Sequence, residues 1–160
     1  MNLEDFVRES NRIEGIHRSP LPHEIMAHRE ILSASELTIS DLRWFVAAVE
    51  PGAILRDRFG LDVGVGRYVA PRGGPKIVEQ LTSLLAEAKR PSSPRDAFLI
   101  HHAYEQLHPF MDGNGRSGRV IWLWMMGGVA PLGFLHHWYY QSLGIEAPEF
   151  LDRLYYVQNS

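Results

Sequence analysis

The residues best able to do chemistry lie in one stretch, His108-Pro-Phe-Met-Asp-Gly-Asn-Gly-Arg-Ser-Gly-Arg119. It joins the end of one helical segment to the start of a strongly apolar one. A helix N-terminus carries partial positive charge, which disfavours arginine there. Arg116 and Arg119 nevertheless fall in the first turn or so, three positions apart and therefore on one face. Ahead of them, Gly113 and Gly115 let successive backbone N–H groups curl into a concave nest. Two cations without an obvious protein partner, a nest and a helix start favour one guest, a polyanion such as a di- or triphosphate.

Asp112 precedes the nest. A carboxylate beside a phosphate repels it unless a cation bridges them, and Mg²⁺ does so with one or two carboxylates, phosphate oxygens and water. His108 lies four positions earlier, at a helix end, where an imidazole that titrates near neutral pH can serve as a general base. His101 and His102 read as structural, and Phe110 as the anchor of the loop in the core. Asn114 either bonds a phosphate oxygen or tolerates a left-handed turn.

Other motifs fail on context. Gly113-Asn-Gly115-Arg-Ser-Gly118 matches G-x-G-x-x-G, but a helix rather than a strand precedes it and the nearest later acid is Glu146. The kinase motifs H-R-D and D-F-G are absent, and neither lysine sits in a Walker A sequence. A calcium loop starting at Asp112 would need a glycine at Ser117 and a glutamate at Leu123. No H-E-x-x-H is present.

The elements around this stretch read as helices. Residues 3–13 form a short helix stopped by Gly15. Pro20 and Pro22 open a second, reaching about Ala34. Ser40 or Thr38 caps a third, which ends at Pro51-Gly52. Residues 60–74 carry closely spaced glycines and β-branched residues, the signature of one small hairpin. Pro75 begins a helix to about Arg90, and Pro94 another that Pro109 ends. An apolar helix follows from about Arg116, then two more around 133–144 and 147–158. The expected class is all-α: a helical bundle with one β-hairpin.

Composition bounds the rest. The 160 residues suit one domain. There is no cysteine, which excludes disulfides, thiolate zinc sites and cysteine nucleophiles. The net charge is −3 and only Lys76 and Lys89 are lysines, so no nucleic-acid partner is expected. The longest apolar run, residues 120–135, is broken by Gly127, Gly128, Pro131 and Gly133 and reads as buried helices rather than a membrane span. The opening MNLEDFVRES lacks an apolar h-region, so no signal peptide and a cytoplasmic location are expected. Trp44, Phe45, Trp138 and Tyr139 would line either a core or a homo-oligomer interface.

His108 to Arg119 resembles the signature of the Fic (filamentation induced by cAMP) family, H-x-F-x-[D/E]-G-N-G-R-x-x-R, at every fixed position. The likeness extends loosely over the chain, including Val63-Gly-Val-Gly66 in the hairpin. The resemblance implies a single Fic-like domain over residues 1–160 and transfer of AMP from ATP to a protein hydroxyl. By position, His108 would be the base and Asp112 would hold Mg²⁺. Gly113, Asn114 and Gly115 would form an anion hole, Arg116 would grip phosphate, and Arg119 would fix the γ-phosphate. The related Doc group, which transfers phosphate, has Ala-Asn-Lys where this chain has Gly113-Asn114-Gly115.

The first helix carries its own misfit. Glu14 sits at a helix C-terminus, where negative charge is disfavoured, with Ser10 one turn earlier on the same face. Ser10-Asn-Arg-Ile-Glu14-Gly15 resembles the family's inhibitory helix, [S/T]-x-x-x-E-[G/N]. The implied arrangement is an inhibitory helix at about 3–15 whose Glu14 pairs with Arg119, ahead of a core at about 20–158. Val65, Gly66, Arg67, Tyr68 and Val69 resemble the family's flap, which docks a target segment by strand addition. The expected partners are ATP and a protein target, the chain itself included. The alternatives are removal of AMP at the same site, transfer of another phosphate-containing group, and a nucleotide-binding regulator without turnover.

Overall fold

The computed structural model describes residues 2–128. The two helices expected around 133–144 and 147–158, with Trp138 and Tyr139, lie outside the described residues. Among the described residues there are six helices and one two-stranded antiparallel hairpin, as the all-α expectation has it.

Helix α1 (Leu3–Ile13) starts where Asn2 Oδ1 accepts the Asp5 N–H at 2.8 Å. It stops at Gly15, whose φ of 77° suits glycine. The Gly15 N–H reaches Arg12 O and the Ile16 N–H reaches Asn11 O, each at 3.0 Å. That pair of bonds is a Schellman end, and it leaves Glu14 as the C-cap. Helix α2 (Pro22–Ser33) opens on a proline and on Glu24, whose carboxylate reaches back to the Leu21 N–H at 2.7 Å. The same buried carboxylate takes Arg18 at 2.8 Å and faces Asn11 of α1, so it ties the first two helices together.

Thr38, not Ser40, caps α3 (Ile39–Val49), with the Asp41 carboxylate returning to the Thr38 N–H at 2.9 Å. Strands β1 (Gly64–Val65) and β2 (Tyr68–Val69) pair Gly64 with Val69 and Val65 with Tyr68. Gly66 supplies the positive φ of 59° that the two-residue turn needs. Helices α4 (Pro75–Glu87) and α5 (Pro94–Leu107) both begin on proline.

Helix α6 (Asn114–Met125) is the centre of the fold. All twelve of its residues are buried, and it packs against α1, α2, α3 and α5. Its second half, residues 120–125, is apolar on every side and has to be enclosed in this way. Its polar first turn is therefore enclosed too, which makes the site. Of the aromatic pair on α3, Phe45 enters the core and Trp44 is 75% exposed. No helix among the described residues is long and apolar enough to cross a membrane.

His28 of α2 is fully buried between the rings of Phe6 and Phe45. Its Nδ1 lies 2.7 Å from Glu24 O, so Nδ1 carries the hydrogen and the ring is neutral. Burial pushes its pKa down to about 4, against the pull of the Glu24 carbonyl. An unfolded histidine takes a proton near 6.5, so the unfolded chain binds more protons between these values. Stability from this site is complete above the unfolded pKa and is lost as pH falls towards 4. Urea unfolding should therefore show a lower midpoint at about pH 5 than at about pH 7.5. The deficit should be smaller in His28→Leu, which cannot take the proton.

Candidate active site

His108 follows the last residue of α5 and takes the left-handed conformation, φ 50° and ψ 61°. It is the one non-glycine residue with positive φ among the described residues. Pro109 disfavours the right-handed helical region there, and bonds to its carbonyl hold the alternative. His108 Nδ1 lies 3.0 Å from Glu105 O. A carbonyl only accepts, so the hydrogen is on Nδ1 and Nε2 is bare. Burial pulls the His108 pKa below its ordinary value, with the Arg56 charge assisting. The Glu105 carbonyl and the nearby Glu14 and Asp112 carboxylates oppose the shift without reversing it. A neutral imidazole with a bare nitrogen can accept a proton.

The loop after His108 is held from two sides. Phe110 is 1% exposed and bridges to Leu55, while the Met111 N–H reaches Ile54 O at 2.9 Å. Asn114 clamps the loop's other end: Oδ1 accepts the Phe110 N–H at 2.9 Å and Nδ2 donates to Phe110 O at 2.8 Å. This is neither of the two roles expected of it, since its amide faces Phe110 and its backbone is helical. Only its N–H remains for an anion.

Asp112 is exposed, and its Oδ1 accepts the Gly113 N–H at 2.7 Å. Among the described residues no cluster of three His, Cys, Asp or Glu could hold a metal. One exposed carboxylate with a second oxygen to offer fits Mg²⁺, which draws its other ligands from phosphates and water. A metal needing an all-protein cage does not fit.

Gly113 is the N-cap of α6 with φ 80°, and no side chain caps the helix. The ladder begins with the Ser117 N–H on Gly113 O at 3.0 Å, so the N–H groups of Asn114, Gly115 and Arg116 precede it. Gly115 differs from its expected role. It lies in the first turn of α6, without the positive φ that a nest glycine shows. Its reason is space: a Cβ there would stand 2.3 Å from Glu14 Oε1 and 3.0 Å from Arg119 Nη1.

The two arginines part company. Arg119 is 2% exposed; its Nη2 bonds Glu14 Oε1 at 2.7 Å and Ser10 O at 3.0 Å, and its Nε bonds Ser10 Oγ at 2.8 Å. Ser10, Glu14 and Gly15 thus meet the start of α6, with Gly15 ending the helix that presents the other two. Arg116 was expected to grip phosphate with no protein partner. It is instead buried against α3, donating to Val49 O at 2.7 Å and to the Glu50 carboxylate at 2.5 Å. The first turn of α6 is enclosed, and a guanidinium there requires a carboxylate of its own.

The hairpin places Val65 and Tyr68 half-buried, with Gly66, Arg67 and Val69 exposed, Val69 at 80%. The Tyr68 hydroxyl turns inward and donates to Gln106 O. Arg56, Glu50 and the clamp role of Asn114 escape sequence reasoning. For Arg56 the sequence offers little, since it follows Ile54-Leu55 but precedes Asp57-Arg58 and reads as part of a solvated charge run.

Residues 25–126 match the family model described as Fic/DOC family. The match covers more than half of the chain, and the chain belongs to that family. At the level of the family, membership points to AMP transfer or a related nucleotide transfer. No curated protein gives a significant match. Helix α1 lies outside the matched span, whereas Arg119 lies inside it.

Replacing Gly115 by Ala separates helix propensity from the collision with Glu14. Alanine gains about 1 kcal/mol in a helix, whereas overpacking costs about 1–3 kcal/mol. Gly115→Ala should melt at or below the wild-type temperature, and amide exchange of α1 should quicken. A clear rise in melting temperature with unchanged exchange would show that Glu14 yields the space freely.

Proposed function

We propose that the protein transfers AMP from ATP to a Ser, Thr or Tyr hydroxyl of a protein, its own chain included, and that α1 restrains the transfer. One observation carries the reading: the Glu14 carboxylate lies on Arg119 and against Gly115, at the uncapped start of α6. An anion of the protein occupies ground that suits an anion of a ligand. Helix dipole, free N–H groups and a buried guanidinium all favour negative charge there.

In the transfer, His108 Nε2 takes the proton of the attacking hydroxyl. The hydroxyl oxygen bonds the α-phosphorus, the bond from that phosphorus to the β-bridging oxygen breaks, and pyrophosphate leaves. The N–H groups of Asn114, Gly115 and Arg116 meet the phosphate oxygens, and Arg119 meets the γ-phosphate. Mg²⁺, held by Asp112, would neutralise phosphate charge. Arg116 keeps Glu50 and shapes the turn from behind. Transfers of this kind need mainly positioning and charge neutralisation. The γ-phosphate and the Glu14 carboxylate carry like charge and want the same guanidinium, so productive ATP must displace Glu14. The Glu14 side chain is 25% exposed and ends α1, so it can turn away without unmaking the helix.

The test is incubation of lysate and purified protein with labelled ATP. Glu14→Gly should incorporate at least roughly tenfold more AMP than wild type, about 1.4 kcal/mol of relief at the transition state. Adding His108→Ala should abolish incorporation. Because the His108 pKa is lowered, incorporation should hold its plateau through neutral pH and fall only below about 6.5. Equal labelling by wild type and Glu14→Gly would overturn the restraint. Tight ATP binding by Glu14→Gly with no pyrophosphate release would overturn the transfer and favour a regulator.

A further inference from the structure

The end of α5 is held in an unusual way. A helix C-terminus leaves its last carbonyls without intrahelical donors. Here four consecutive carbonyls, from residue 106 to 109, all receive donors from the hairpin and the segment leading to it. The Tyr68 hydroxyl donates to Gln106 O. Arg56 Nη2 donates to Leu107 O at 2.9 Å and Arg56 Nε to His108 O at 2.6 Å. The Arg56 backbone N–H donates to Pro109 O at 2.8 Å.

The same guanidinium reaches the other way. Arg56 Nη1 donates to Leu61 O at 3.1 Å and to Pro71 O at 2.7 Å, the two feet of the hairpin. The Gly74 N–H closes the base on Arg56 O at 2.9 Å. Arg56 is fully buried and has no hydrogen-bonded carboxylate among the described residues. Its charge is met by carbonyl dipoles, including those at the negative end of α5, and by the longer-range attraction of the Asp62 carboxylate. An apolar side chain would fill the space at lower desolvation cost. What only arginine offers is a planar fork that fixes several acceptors in one rigid geometry.

We propose that Arg56, assisted by Tyr68, is the positioning residue that sets where a segment held by the hairpin lies relative to His108 Nε2. The juxtaposition is direct: one planar group bonds the backbone of the base and both feet of the hairpin. It also secures the left-handed backbone of His108 by holding its carbonyl. The inference rests on the proposed AMP transfer for its meaning in catalysis. The mechanical coupling stands by itself and is measurable without turnover.

The experiment uses the full chain with Glu14→Gly, and adds Tyr68→Phe, Arg56→Lys or Arg56→Met. Three quantities are read: backbone amide shifts, ATP affinity by calorimetry, and AMP incorporation. Tyr68→Phe removes one hydroxyl and should stay folded. It should shift the amides of residues 64–69 together with that of His108, and leave the first turn of α6 unmoved. ATP affinity should stay within about twofold, while kcat for incorporation falls roughly tenfold. Arg56→Lys keeps a charge but loses the fork, and should lose roughly 10²-fold in kcat with ATP still bound. Restoration by lysine relative to Arg56→Met would overturn the geometric role in favour of a purely electrostatic one. Hairpin amides that shift while His108 stays fixed would overturn the coupling. ATP affinity falling in step with incorporation would reduce Arg56 to general stability. Should the Arg56 variants fail to fold, Tyr68→Phe decides alone. Should Glu14→Gly incorporate no AMP, the proposed transfer fails and the paired amide shifts still judge the coupling.

Discussion

A buried guanidinium has to be answered by acceptors of its own, and helix α6 carries two, in consecutive turns, that are answered by carboxylates. Arg116 and Arg119 are each 2% exposed. Removing the acid would leave each guanidinium only its carbonyl and hydroxyl acceptors. The two answers come from different places. Glu50 stands at the end of α3, inside the family match, while Glu14 stands at the end of α1, outside it. Arg116 is thereby closed into the scaffold. Arg119 depends on a helix that joins the rest through Phe6, Val7 and the Asn11–Glu24 contact. The asymmetry lies in where the two acids come from: one stands in the span that matches the family, the other on a helix ahead of it.

The site's two halves use opposite ends of helix dipoles. The start of α6 gathers negative charge, and the end of α5 gathers the positive charge of Arg56. His108 lies between the two ends, buried enough to stay neutral and left with one bare nitrogen. Its low basicity follows mainly from burial and from Arg56, so the group that holds its backbone also helps set its proton affinity. Arg56 contributes to both position and protonation state, with burial the larger cause of the second.

What the sequence made legible was local. The caps at Gly15 and Thr38, the prolines at helix starts and the hairpin glycines each act within a few residues. They fix the element order almost without tertiary knowledge. The resemblance in residues 108–119 then carried the expected site residues; in the structure Glu14 bonds Arg119, and Ser10, for which no such bond was expected, does so too. What stayed hidden was long-range. Arg116 meets an acid 66 positions away, and Arg56 a carbonyl 52 positions away. No periodicity reports such pairs. Gly115 shows the limit well, since its glycine answers a side chain from α1 rather than a backbone angle. Asn114 shows another limit: an amide that stitches its own loop looks, in sequence, like one that greets a ligand.

The distance along the chain between Glu14 and Arg119, 105 residues, has a consequence in time. A ribosome adds about 5–20 residues per second, so roughly 5–20 s separate the emergence of the acid from that of the arginine. The carboxylate is therefore already tethered to the nascent chain when the guanidinium appears.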